Sequence, residues 1–409
     1  MVGAGPAGMM AAIRAANLSQ PVLLLEKNSC PGKKLLLSGK GRCNLTNTCD
    51  LDLFIERFSG NGQFLRDAFK HFFYPELMDF FETRGLKLTV ERQLRVFPES
   101  GGSAGVLKIL EQELSKNKVN SMYGCILKEI IIGDNKVKGV ILADGRKMLA
   151  DKIILATGGA SYSFTGSTGE GIRLAIKTGH RAAPLMAGLV PLVTKEKYPR
   201  QLMGLTLKNI RLKFSDSEKE IISQMGELLF TDFGISGPLV LSLSGRVVEW
   251  LHARKKVFVE IDLKPALSEE QLDSRLLREF NLNAKKNIKN TIKELLPIKL
   301  IDIALRILTI DPDKKVSQIT QAERKAIIAF LKGFRLTIAC AKPLEEGMVT
   351  QGGVSLKDID PRTMESRRIK GLYFAGEMID VDADTGGFNL QAAFSTGYLA
   401  GESAAYCSQ

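Results

Sequence analysis

The sequence predicts an α/β protein: a Rossmann-like nucleotide-binding domain interrupted by a β-rich insert and a helical subdomain. Three observations predict it. Gly3, Gly5 and Gly8 have the G-x-G-x-x-G spacing, an apolar strand ends on an acid 18 residues after Gly8, and a second strand-to-glycine element, Gly371–Glu377, stands near the other end of the chain. That glycine spacing permits a tight turn, close backbone approach to a pyrophosphate, and close helix packing. By itself it fits a turn feeding a helix with no ligand equally well, so the argument rests on what surrounds it.

Composition narrows the classes. A chain of 409 residues exceeds the size at which one core stops growing, so two or three domains are expected. No stretch approaches the roughly 18 apolar residues a membrane span needs, and no charged leader precedes an apolar core, so a cytoplasmic protein without membrane contact is expected. The six cysteines (Cys30, Cys43, Cys49, Cys125, Cys340, Cys407) form no C-x-x-C pair and there are only three histidines, which argues against a metal centre or a dithiol relay. Redox chemistry would have to come from a bound cofactor. The net charge is +12, and residues 251–335 hold 18 Lys and Arg against 11 Asp and Glu. That excess suits either a solvated helical face or an acidic partner.

Taken in order, Pro6 opens a helix at a position where its missing N–H costs nothing, and Met9, Met10 and Ile13 give it a packing face. Val22–Leu25 reads as a buried parallel strand ending in Glu26, where a ribose-binding acid belongs. The loop from Gly32 to Asn47 mixes glycines, cations and small polar groups. It can wrap phosphates, with Lys33, Lys40 or Arg42 neutralising charge, or it can be a basic surface loop. Residues 51–118 read as mainly helical with phenylalanines at core spacing, and Leu94–Pro98 as a short strand.

A meander follows, with strands at Cys125–Ile132, Val137–Leu142 and Met148–Leu155 separated by the turn signals Gly133-Asp-Asn135 and Asp144-Gly145. The last strand runs into Thr157, Gly158 and Gly159, small residues that let a chain pass close to a ligand. Glu170–Thr178 reads as a helix closed by Gly179. Gly166, Gly169 and Gly171 lack the dinucleotide spacing, so no second nucleotide domain is supported. Residues 190–265 read as the β-rich insert and 266–335 as the helical, basic subdomain, with Ser268 as an N-cap. The nucleotide domain is then residues 1–189 and 336–409. Its closing helix follows Gly386-Gly387, and a helix start there points free N–H groups at an electron-rich acceptor, with Asp384 placed to hold a ribityl hydroxyl.

Five motifs together resemble the BaiN-like bacterial flavoproteins, a family that includes a bile-acid enoyl reductase and an aminoacetone oxidase. They are G-A-G-P-A-G at Gly3–Gly8, S-G-K-G-R-C-N-L-T-N at Ser38–Asn47, A-T-G-G at Ala156–Gly159, L-L-F-T-D-F-G-I-S-G-P at Leu228–Pro238, and F-A-G-E followed by T-G-G-F-N-L-Q, ending at Gln391. The resemblance implies a split FAD-binding domain of glutathione-reductase-like topology with a β-barrel-like and a helical insert. It implies FAD contacts at Gly3, Gly5, Pro6, Ala7 and Gly8; at Glu26, Lys27 and Lys33; at Gly39, Gly41, Arg42, Cys43 and Asn44; and at Cys125 and Ile126 for the adenine. Further contacts are implied at Thr157, Gly158, Gly159, Gly353, Gly376, Glu377 and Asp384, and at Gly386, Gly387, Phe388, Asn389 and Leu390. No histidine lies near these motifs, so the FAD is expected to be non-covalent. Only Met1 and Val2 precede the first glycine, so a shortened first strand is expected.

The functional expectation is an FAD-dependent oxidoreductase that reduces an activated C=C bond of a small molecule, with NAD(P)H as donor. Arg42 is the expected anion or carbonyl contact, and Asp232 and Ser236 the expected substrate contacts. An amine oxidase using dioxygen is the alternative within enzymes, and an RNA-binding or RNA-modifying flavoprotein the alternative outside small-molecule chemistry. The basic insert suits RNA, but it lacks the interleaved aromatics expected of base stacking. The sequence sets no oligomeric state.

Overall fold

The computed structural model describes residues 1–406; Cys407 lies outside them. The chain divides into two compact units, Met1–Gly188 with the segment from Leu344 onward, and Leu189–Pro343. Among the described residues no helix is long and apolar enough to cross a membrane.

The first unit is built on short parallel strands. Leu23–Leu25 pairs with Asn120–Met122, and Ile153–Leu155 pairs with Leu372–Phe374. Val2 joins the two pairs by bridging Leu25 on one side and Leu155 on the other. The first strand is therefore a single bridged residue, anchored by Val2 N–H donating to Ile154 O and Gly3 N–H to Leu25 O, at 2.9 and 2.8 Å. Helix Pro6–Asn17 leaves this bridge directly, and the closing helix Phe388–Tyr406 lies against it. Their closeness depends on small residues, since a Cβ on Gly397 or Gly401 would come 2.2 Å from Ala7 O or 2.4 Å from Ala11 O.

The meander forms from Leu127–Gly133, Lys136–Leu142 and Lys147–Leu149, all antiparallel. Asp134 and Asn135 both take positive φ at its first turn, the geometry that matches the twist of the flanking strands. The strand expected at Met148–Leu155 is in fact two. Lys147–Leu149 ends the meander, and Ile153–Leu155 enters the parallel sheet after a break at 150–152. The break lets the chain leave the ladder with Lys136–Leu142 and pair instead with Leu372–Phe374. The phenylalanines of the helical region are core: Phe54 makes edge contacts with Phe69, Phe73 and Phe388 at 4.7–5.2 Å between centroids.

In the second unit the strand Thr206–Ser215 is central. It pairs with Glu220–Ile222 and Gly226–Phe230, and also with Val257–Asp262. The order continues through Gly234–Ser236, Leu192–Thr194 and Phe334–Ala341 back to Val257–Asp262, so the pairings form a barrel-like ring. Leu272, Leu276, Ile301 and Ile327 of the helical subdomain share one core with Leu212 and Val259 of the strands, and the ring takes in a strand running to Ala341. The region read as β-rich also contains a 15-residue helix, Pro238–His252. Pro238 starts it, and Val240, Leu241, Ser244, Val247 and Val248 are buried at helical spacing. Ser268 caps Glu269–Leu282 as read, in a capping box with Gln271.

Candidate cofactor-binding site

The three opening glycines do three different things. Gly3 has φ +100°, and a Cβ there would lie 2.5 Å from Ala156 O. A Cβ on Gly8 would lie 1.8 Å from Gly3 O, so Gly8 is fixed by packing within the turn. Gly5 is open, with nothing within 4 Å of its Cβ position and an ordinary extended backbone. Sterically, then, the protein itself does not require glycine at position 5; a ligand brought up to the backbone would. Helix Pro6–Asn17 has no side-chain cap, and its first bond is Met9 N–H to Gly5 O, which leaves the Ala7 and Gly8 N–H groups at a bare helix start.

Glu26 is buried at the end of its strand. One carboxylate oxygen accepts from Ala4 N at 2.7 Å, and the other from Asn28 N and Asn28 Nδ2, both at 2.8 Å. A carboxylate offers about four acceptor sites, so capacity remains for a hydroxyl. Cys125 N–H donates to Glu26 O, which puts Cys125, buried, and Ile126, half exposed, beside this acid. Lys27 is turned onto Thr168 Oγ1 and Glu170 at 3.0 and 2.9 Å, and Lys33 onto Asn28 Oδ1 at 3.2 Å.

The loop from Ser38 to Asn47 and the start of the last helix meet, although more than 300 residues separate them. Gly39, Gly41 and Cys43 all have positive φ. The Asn44 side chain donates to Thr46 O at 3.3 Å and accepts from Gly387 N at 3.1 Å. Thr46 Oγ1 donates to Gln391 Oε1 at 2.6 Å, and Asn47 Nδ2 to Gly386 O at 3.2 Å. A Cβ on Gly387 would come within 2.4 Å of the Thr46 backbone. Cys43 is buried, and burial pushes its thiol up to about 11, so it is no thiolate nucleophile. The Arg42 guanidinium lies 4.3 Å over the Phe97 ring and pairs with Glu91. Asn389 spends its amide on Ala383 N and O at 3.0 and 2.9 Å, Phe388 turns its ring into the aromatic core, and Asp384 stands 3.9 Å from Arg57.

The Gly376 loop reaches the opening turn, since a Cβ on Gly376 would sit 2.8 Å from Ala7 Cβ. Gly158 and Gly159 border Glu377, and Gly353 packs against Met378 O. Glu377 is held ionised: burial pushes its pKa up, but the ammonium of Lys34 and bonds from Lys34, Thr350 and Ser161 pull it below the usual range. Lys34, Ser161 and Thr350 are absent from the sequence reading. Lys34 adjoins Lys33 in a basic loop, and nothing local marks which of the two turns inward. Asp232 is exposed in the turn after Phe230 and Ser236 ends the next strand, both in the second unit.

An open second glycine, a bare helix start, a buried acid with spare acceptor capacity, and a second glycine-flanked helix start fit a dinucleotide with an extended second half, as FAD is. The family model described as the HI0933-like protein Rossmann domain matches residues 1–403. A 3-dehydro-bile acid delta(4,6)-reductase of Clostridium scindens is 34% identical, covering 99% of this chain and 98% of that protein. A ribosomal RNA dihydrouridine synthase of Escherichia coli is 29% identical over 97% of this chain and 95% of its own length. Among solved structures, a 3-ketosteroid-delta4-(5alpha)-dehydrogenase from Rhodococcus jostii RHA1 shares the fold at a TM-score of 0.53 and 16% identity, over 99% of this chain and 95% of that one. The chain belongs to the HI0933-like Rossmann family and is an FAD-dependent oxidoreductase.

Proposed function

We propose that this protein reduces a ring carbon–carbon double bond conjugated to a carbonyl, with NAD(P)H as the electron donor. The observation that carries the reading is what two relatives, each aligned over nearly the whole chain, have in common. The name of one describes reduction of an oxo-steroid's unsaturation, and that of the other formation of dihydrouridine in RNA. Both amount to saturating a C=C bond held in a ring next to a carbonyl. FAD would supply the hydride chemistry. The chain's own part is to bind and orient. The Ala7 and Gly8 N–H groups at the first helix start would hold the pyrophosphate charge, with Gly5 giving backbone access. Glu26 would accept the ribose hydroxyls, Cys125 and Ile126 would flank the adenine, Asp384 would hold a ribityl hydroxyl, and Glu377 would accept a further hydroxyl of the cofactor. The N–H groups at Phe388–Leu390 would face an acceptor that gains electron density. Arg42 is the proposed carbonyl contact. Asp232 and Ser236 stand in the insert, and their proposed role is contact with substrate.

The second relative gives an RNA substrate specific support, and so does charge. Residues 189–343 carry 27 Lys and Arg against 18 Asp and Glu, most of the excess of the chain. An anaerobic absorbance titration with NADH and NADPH, followed by oxidants, tests both readings. One nucleotide is expected to bleach the flavin, and a cyclic enone, a 3-oxo-Δ4 steroid or uridine-containing ribosomal RNA to restore its colour. Bleaching by neither nucleotide, or recovery only with dioxygen, would contradict the proposal. Dihydrouridine in the RNA product, read by mass spectrometry, would select the RNA substrate.

A further inference from the structure

Lys34 is the centre of a polar cluster that joins four separate segments. It lies in the short helix Lys33–Leu36. Its Nζ donates to the two Glu377 oxygens at 2.7 and 2.6 Å and to Ser161 Oγ at 2.7 Å. Glu377 Oε1 also accepts from Thr350 N at 2.8 Å and Ser161 Oγ at 3.1 Å. Thr350 Oγ1 in turn accepts from Ala160 N and Ser161 N at 2.8 and 3.0 Å. The segments so tied are the ones that carry Lys33, Gly158 and Gly159, Gly353, and Gly376.

The two oxygens of Glu377 are not equivalent. Oε1 is filled by three donors, whereas among the described residues Oε2 accepts from Lys34 alone. Oε2 faces Gly158, whose Cβ position is 3.9 Å away and whose φ of +72° favours glycine. One acceptor site on Oε2 is therefore left over, on a side where Gly158 adds no side chain and the Ser167 hydroxyl is the neighbour.

We infer that Lys34 is a positioning residue of the cofactor site: its ammonium fixes Glu377 with Oε1 turned into the protein and Oε2 left to accept a hydroxyl of bound FAD. The inference rests on the FAD site proposed above. Lysine suits the task because one compact ammonium can donate to both carboxylate oxygens and the serine at once. Removing it leaves a mostly enclosed carboxylate without its counter-charge, free to turn or to open the loops.

Three variants test it, with FAD affinity measured by titrating apoprotein and following flavin fluorescence, and stability measured as the denaturation midpoint of the same apoprotein. Lys34→Met is expected to weaken FAD binding roughly tenfold or more. Lys34→Arg keeps a cation and is expected to recover most of that loss. In the double variant Lys34→Met/Glu377→Gln no buried charge is stranded, so the midpoint is expected to return towards wild type. FAD affinity is expected to stay low, because Thr350 N claims the amide oxygen, so the place of Oε2 no longer holds a charged acceptor and Lys34 no longer fixes it. If the double variant regains wild-type affinity along with its stability, the cluster is only a structural staple and the inference fails. It also fails if Lys34→Met binds FAD like wild type. Should wild-type apoprotein itself not bind FAD, the site reading falls first and this inference with it.

Discussion

Gly5→Ala is expected to leave the apoprotein folded and to cost it FAD, while Gly8→Ala, three residues on, is expected to cost it the fold. The added methyl at position 5 meets no atom within 4 Å, and the backbone there is one alanine adopts freely. As an N-cap change it should shift stability by no more than about 1 kcal/mol. The same methyl projects into the space through which a pyrophosphate would approach the Ala7 and Gly8 N–H groups. Blocking hydrogen bonds to a charged group should weaken FAD binding roughly 10- to 100-fold. At position 8 the methyl would have to occupy a point 1.8 Å from the Gly3 carbonyl oxygen, with Ala156 Cβ at 3.3 Å behind it. Nothing there is a flexible side-chain end. The turn, the Val2 bridge and the helix it launches must shift together, at about 3 kcal/mol or more. Denaturation midpoints of the two apoproteins, set beside their FAD affinities, check the contrast. Equal loss of stability in both would mean that Gly5 serves packing as well.

The second large effect is expected at Asp358, which is not among the proposed ligand contacts. Its carboxylate is buried and receives the Arg181 backbone N–H at 2.8 Å, the Arg181 guanidinium, and Arg368 Nε at 3.0 Å. These bonds tie the entry of strand Ala182–Gly188 to the turn Leu356–Asp358 and to the bend around Ser366. Asp358→Ala should destabilise the first unit by about 1–3 kcal/mol, because it strands the Arg181 backbone donor and unties two guanidiniums that, being half exposed, water can still reach. Burial alone would raise the Asp358 pKa, but the bonds from Arg181 and Arg368 outweigh it, and the acid is held well below the usual carboxylate range. A folded-state pKa below the unfolded one gives stability that is complete above the unfolded value, about 4, and lost as pH falls below it towards the folded value. Wild-type stability should therefore fall with acid in that window, and Asp358→Asn should be less stable at neutral pH but flatter below about pH 4. A variant with the wild-type acid slope would place the titrating group elsewhere.

What could be read from the sequence was what local chemistry determines. The glycine turn, the helix after Pro6, the strand ending in Glu26 and the Asp134-Asn135 hairpin each need only a few adjacent residues, and each stands where its signals are. What needed the third dimension was lost. Met148–Leu155 is one apolar run by pattern, and only its two different partners break it. Pro238–His252 is apolar enough to pass for strands, and its helical phase shows only once Val240, Ser244 and Val247 face one core. The basic stretch after Pro265 reads as a helical subdomain because its helices are amphipathic, and only the structure shows that their apolar faces share one core with the strands. Lys34 was passed over for its neighbour because in a four-residue helix nothing in the sequence says which lysine meets Glu377, 343 residues away.

The first unit is expected to hold one FAD by non-covalent contacts. This is tested most directly by denaturing the purified protein and assaying flavin in the soluble fraction and in the pellet. One FAD per chain, released whole into the soluble fraction, is the predicted result. Flavin that stays with the denatured chain would contradict the non-covalent site, and the absence of flavin, with no uptake of added FAD by the native protein, would contradict the cofactor itself.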